Sequence, residues 1–124
     1  MPYLNITTNA PLKKRQKETI ERAISKAILL IPKEKEELLM VNFEDCASLS
    51  LSGDFSTPAA MIELRVHNVV IEMNEAELLE KVMSLATEVV SKVLDICPDR
   101  IYCTMPAVPY WTAAGLEILK GILK

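Results

Sequence analysis

The residue best placed to do chemistry is Pro2. An initiator methionine is commonly removed when the next residue is small, and proline qualifies, so Pro2 is expected to become a free secondary amine. An α-amino group titrates near ~7.7–8.0, and burial in an apolar pocket lowers that value by disfavouring the charged form. An amine poised near neutrality can take a proton from the carbon beside a carbonyl and return it elsewhere. Proline follows methionine in many unrelated chains, so Pro2 by itself decides nothing.

The other reactive side chains offer less. His67 is the single histidine, which leaves little for a histidine metal cluster or a catalytic triad to build on. An edge or loop-facing histidine is the expectation. Cys46, Cys97 and Cys103 show no paired close spacing, so they read as buried or incidental thiols and not as zinc ligands or a redox pair. Glu44 and Asp45 are adjacent at a strand end, where neighbouring side chains point to opposite faces, so a glycosidase-type carboxylate pair is not expected. Tyr110 and Trp111 fit either a pocket wall or the packing of the C-terminal tail. Lys13, Lys14 and Arg15 read as a solvated helix face. The three glycines, Gly53, Gly115 and Gly121, exclude a Gly-rich phosphate loop. No metal and no cofactor is expected.

The elements that must position these residues follow from periodicity. Tyr3 to Thr8 alternates, with Leu4 and Ile6 on one face and Asn5 and Thr7 on the other, as in a strand. Asn9-Ala10-Pro11 breaks it. A helix is predicted from Leu12 to about Leu30, because Ile20, Ala23, Ile24, Ala27, Ile28 and Ile31 form one buried stripe that Pro32 ends. Glu37 to Phe43 reads as a second strand, and Glu44 to Thr57 as a long Ser-rich connection around Gly53. Met61 to about Val70 reads as a third strand, with Ile62, Leu64 and Val66 set against Glu63, Arg65 and His67. Asn74 and Glu77 have the form of a capping box before a helix whose stripe is Leu79, Val82, Met83, Ala86, Val89, Val90 and Val93. Cys97-Pro98-Asp99 ends that helix, Arg100 to Met105 is a fourth strand, and the apolar tail after Trp111 reads as a short helix.

The second strand–helix–strand unit follows the first by about 60 residues, a repeat at the level of structural pattern. Two right-handed βαβ units side by side predict an α/β (α+β) fold: a four-stranded mixed sheet with both helices on one face. The opposite face, with Met40, Met61 and Tyr3 among polar residues, is then left for an assembly to cover.

Composition narrows the function classes. With 124 residues, the chain reads as a single domain, 1–124. Its 14 Lys plus Arg stand against 17 Asp plus Glu, a formal charge of −3 that argues against a nucleic-acid partner. Short apolar runs broken by charge argue against a membrane span, and the first residues lack signal-peptide character. Cytoplasmic localisation is the expectation, with secretion lacking a signal peptide as the alternative.

Several stretches together resemble one family. Met1-Pro2-Tyr3-Leu4-Asn5-Ile6-Thr7-Thr8-Asn9 is similar to the opening of the macrophage migration inhibitory factor and D-dopachrome tautomerase family. Pro98-Asp99-Arg100-Ile101-Tyr102 resembles that family's entry to its last core strand, and Leu39 to Asp45 its second strand. Leu51-Ser52-Gly53-Asp54-Phe55-Ser56-Thr57-Pro58 resembles the loop before its third strand. The likeness runs over roughly residues 2 to 111.

The resemblance implies a homotrimer with pockets between subunits and keto–enol tautomerisation of small enolisable α-keto acids such as phenylpyruvate. It implies Pro2 as general acid/base, a backbone group near Val66 and His67, and Tyr102 from the adjacent subunit. A lysine near the second strand would hold the substrate carboxylate. Here Glu34 occupies that column, flanked by Lys33 and Lys35, of which Lys35 is favoured as nearer the strand. Thr104 stands where the family often has asparagine, and Trp111 would line the rim. His67-Asn68-Val69-Val70 replaces the glycines after the third strand, and Ala59-Ala60-Met61 replaces the Cys-x-x-Cys of some members. Tyr102 to Trp111 is about two residues shorter than in many relatives. The rival reading is a cytokine-like interaction protein on the same trimeric scaffold, with a vestigial pocket and a protein receptor as partner. A further rival is a regulatory ligand-binding domain of ferredoxin-like topology, which would need no Pro2.

Overall fold

The computed structural model describes residues 2–117. Strand β1 (Tyr3–Thr8) leads into helix α1 (Lys14–Ile28), a 3-10 turn at Glu36–Leu38 and strand β2 (Met40–Glu44). Strand β3 (Ala60–His67) runs directly into a short helix, α2 (Asn68–Met73), which is followed by helix α3 (Ala76–Leu94) and strand β4 (Ile101–Thr104). Three short strands close the described chain: β5 (Ala107–Val108), β6 (Thr112–Ala113) and β7 (Leu116–Glu117). The main sheet has the order β2-β1-β3-β4, with β5 adding to β3. β1 is parallel to β2 and antiparallel to β3, and β3 is parallel to β4. This is the mixed α+β sheet expected from the two repeated units.

Alternation decides which side of the sheet carries the core. Leu4, Ile6, Ile62, Leu64 and Val66 are fully buried and meet Ile20, Ile24 and Ile28 of α1 with Leu79, Val82, Ala86 and Val90 of α3. Burying each large aliphatic side chain contributes about 1.5–3 kcal/mol, which makes this single layer the main source of stability. The other face is polar and open. Asn42 Nδ2 donates to Asn5 Oδ1 at 2.8 Å, Arg65 pairs with Glu63 at 3.4 Å, and the Arg65 guanidinium lies 5.8 Å from the Tyr3 ring centre.

Several boundaries differ from expectation. The second strand begins at Met40, since Glu36–Leu38 turns as a 3-10 helix. The third strand stops at His67, because the His67 side chain caps the turn that follows: its Nδ1 accepts the Val69 N–H at 3.1 Å. Asn74 does not open α3. Its Nδ2 donates back to the Val70 carbonyl at 2.8 Å, and Glu75 is the N-cap. The tail at 112–117 forms a hairpin and not a helix, with Ala114 and Gly115 at positive φ in its turn; the remainder of that tail lies outside the described residues.

The long connection is held from outside. Leu51 and Asp54 exchange backbone hydrogen bonds across a two-residue turn in which Ser52 and Gly53 both have positive φ. Asn9 Nδ2 donates to the carbonyls of Leu49, Phe55 and Thr57 at 3.2, 3.0 and 3.0 Å. Arg100 donates to the carbonyls of Pro58, Asp54 and Thr57 at 3.0, 3.2 and 3.0 Å. Two residues of the stretches that carry the family resemblance, Asn9 and Arg100, therefore fix this loop.

Candidate active site

Pro2 is buried at the outer end of β1, where its carbonyl accepts the Met40 N–H at 3.3 Å. The β1–β3 register pairs Tyr3 with Arg65, so one step further out it sets Pro2 level with Val66. The sheet thus brings Pro2, the end of β3 and the start of β2 to one edge of the molecule. Val66 does not offer a free backbone donor, because its N–H is committed to the Pro106 carbonyl at 3.1 Å. That bond belongs to the pairing of β5 with Val66 and His67, which reading by periodicity missed: a dipeptide strand between two prolines leaves no periodic signal. Trp111, three residues past β5, is half-buried.

His67 is not the edge or loop-facing residue that was expected. It is 5% exposed at the junction of β3 and α2, and its Nε2 is buried without a hydrogen-bond partner among the described residues.

The two lysines part company. Lys33 has φ 69° and lines a cleft of about 80 Å³ with Pro32, Glu34, Val69, Val70, Met73 and Asn74. Lys35 is exposed and lies outside that lining. The expectation that Lys35 is the better placed of the two therefore has no support from this cleft. Glu34, the residue in the lysine column, is 8% exposed and faces the same cleft.

Tyr102 and Thr104 are exposed on β4, paired with Met61 and Glu63. Tyr102 is five positions from the level of Pro2 along β3, roughly 16 Å at the rise of a strand. A single chain does not bring Tyr102 and Pro2 together.

The cysteines are free; Cys46 and Cys97 are exposed and Cys103 is half-buried. Burial pushes the Cys103 thiol up to about 11, partly offset by a Thr87 hydrogen bond, so it is a poor nucleophile at neutral pH. Among the described residues, no group of three or more His, Cys, Asp or Glu could hold a metal ion.

No protein-family model matches the sequence, and no curated protein matches it. Solved structures do match in fold. A Leishmania major MIF2 structure superposes with a TM-score of 0.81 at 18% identity, over 94% of this chain and 97% of that one. A macrophage migration inhibitory factor homologue from Prochlorococcus marinus gives 0.77 at 21% identity, over 93% and 97%. A fused 4-OT wild-type symmetric trimer gives 0.80 at 14% identity, over 96% and 98%. The chain has the macrophage migration inhibitory factor and tautomerase fold.

Proposed function

We propose that this protein is a trimeric tautomerase that interconverts the keto and enol forms of small α-keto acids of the phenylpyruvate type. Pro2, freed by removal of Met1, is its general acid/base. The observation that carries the reading is the placement of Pro2 on this fold: buried at the end of β1, level with the end of β3. The Pro2 nitrogen takes a proton from the carbon beside the substrate carbonyl, and the resulting ammonium returns it to the enolate oxygen. An apolar setting favours the neutral amine, the form that can act as base. Lys33 takes the substrate carboxylate, and Tyr102 of a neighbouring copy closes the pocket. No cofactor is needed for a proton transfer of this kind.

Phenylpyruvate tautomerisation by protein whose N-terminus has been verified by mass spectrometry tests the reading. Processed protein should be active, and protein retaining Met1 should be inactive, because the peptide bond turns the Pro2 nitrogen into a non-basic amide. Equal rates for the two forms overturn Pro2 as the catalyst. Glu34 favours the rival interaction-protein reading, since a buried carboxylate in the cleft opposes an anionic substrate. A processed trimer inactive on every enolisable α-keto acid would decide for that rival.

A further inference from the structure

One wall of the Lys33 cleft is α2, whose Val69, Val70 and Met73 line it together with Pro32 and Glu34. The helix spans only six residues, so its ends decide whether it holds. Asn74 closes the last turn, donating from Nδ2 to the Val70 carbonyl at 2.8 Å. The first turn is closed by a titratable ring: His67 Nδ1 accepts the Val69 N–H at 3.1 Å.

Capping fixes the protonation state of that ring. An accepting Nδ1 carries no proton, so the ring is neutral with its proton on Nε2. A second proton can go only to Nδ1, where it would point at the Val69 N–H. Cap and charge are mutually exclusive. The other side of the ring gives no support to a charged form, because Nε2 is buried without a hydrogen-bond partner among the described residues. Of the elements beside the ring, β5 carries no titratable residue and α2 only Glu72, which is exposed. Earlier in β3, Glu63 pairs with Arg65, and Glu75 and Glu77 at the start of α3 are exposed. Lys33 and Glu34, lining the cleft with α2, carry opposite charges.

We propose that His67 is an acid-sensitive latch: a proton on its ring uncaps α2, loosens that wall of the cleft and weakens the hold on an anionic substrate. The proton comes from solvent, an Nδ1–H bond forms and the hydrogen bond from Val69 breaks. The substrate half of this inference rests on the Lys33 reading above; the latch itself does not. Substrate binding then follows the fraction of chains that keep α2 capped. With one proton per chain, KM rises about tenfold for each pH unit below the midpoint of the ring.

His67 is the single histidine, so its ring C–H resonances can be followed without ambiguity. Between about pH 8 and pH 5 they should move with the same midpoint as the Val69 amide, whose exchange protection falls as the ring charges. The amides of β1 should stay protected throughout. His67→Asn keeps a cap that takes no proton, since the asparagine oxygen can accept from Val69. The ratio of wild-type to variant KM for phenylpyruvate should rise about tenfold per pH unit below the midpoint, and titration of Pro2, common to both, cancels. By reciprocity, saturating phenylpyruvate should lower the midpoint of the wild-type ring, and this arm decides should the variant fail to fold. A ring that charges while the Val69 amide stays protected overturns the latch, as does one that charges only when the whole protein unfolds. A flat KM ratio, or a midpoint unmoved by phenylpyruvate, overturns its effect on substrate. A processed wild type with no activity overturns the tautomerase reading instead, and the Val69 amide still decides the latch.

Discussion

Glu34 and Lys33 face the same cleft with opposite charges, so on the proposed reading their balance decides how well a substrate carboxylate is held. A charge-assisted contact to a substrate carboxylate contributes about 1.5–3 kcal/mol. Lys33→Ala should therefore raise KM for phenylpyruvate about tenfold or more with kcat little changed, the signature of lost uniform binding. Lys35→Ala should leave KM within about twofold, as expected of a surface charge away from the cleft. Glu34→Gln should lower KM by removing the opposing charge. Steady-state kinetics on the three variants checks all of this, and equal effects from Lys33→Ala and Lys35→Ala would remove Lys33 from the site. Sequence alone places a lysine on either side of Glu34 and favours Lys35 as nearer the strand, whereas the cleft is lined by Lys33. The choice depends on backbone direction, and Lys33 at φ 69° turns where no pattern of side chains announces it.

At the scale of elements, the connection between β2 and β3 depends on side chains far from it in sequence. Arg100, with a side chain only 16% exposed, donates to three loop carbonyls. Arg100→Ala should cost about 2 kcal/mol, read by urea unfolding at fixed protein concentration. Asp54 is held down at about 2 by the Thr57 hydroxyl, then by the Thr57 and Ser56 N–H groups. A carboxylate depressed in the folded state contributes stability above its ordinary value and loses it as pH falls through the folded value. The Thr57 amide resonance should accordingly titrate between about pH 4 and pH 2, and Asp54→Asn should abolish that titration.

The same elements show what pattern reading captures. The stripe from Ile20 to Ile31 and the alternation of Leu4, Ile6, Ile62 and Leu64 give the helices, the strands and the buried face, because burial is periodic. Val69 and Val70 are β-branched and read as more strand, yet they lie in α2. There the His67 cap and the burial of Val70 outweigh local preference. The candidate site is legible in Pro2 only through family resemblance, and the orphaned Nε2 of His67 is visible only in three dimensions.

For the whole molecule, the sheet itself argues for assembly. β2 and β4 are its two edges, and Met40 and Tyr102 are 68% and 59% exposed on them. Unpaired edges with exposed apolar side chains are a liability that a closed oligomer removes. Light scattering should give three times the chain mass at micromolar concentration, and a monomer would remove the shared pocket. The separation of Pro2 and Tyr102 within one chain allows a sharper test. In a trimer, each site would take Pro2 from one copy and Tyr102 from the next. Pro2→Ala and Tyr102→Phe should each be impaired alone, the first severely. Unfolded together in equal amounts and refolded, the two would give mixed trimers in which about a quarter of the sites hold both native residues. Activity should rise above the mean of the separate variants toward about a quarter of wild type. If each site lay within one chain, no mixture could restore one, and the refolded sample would show only the average of its two parents.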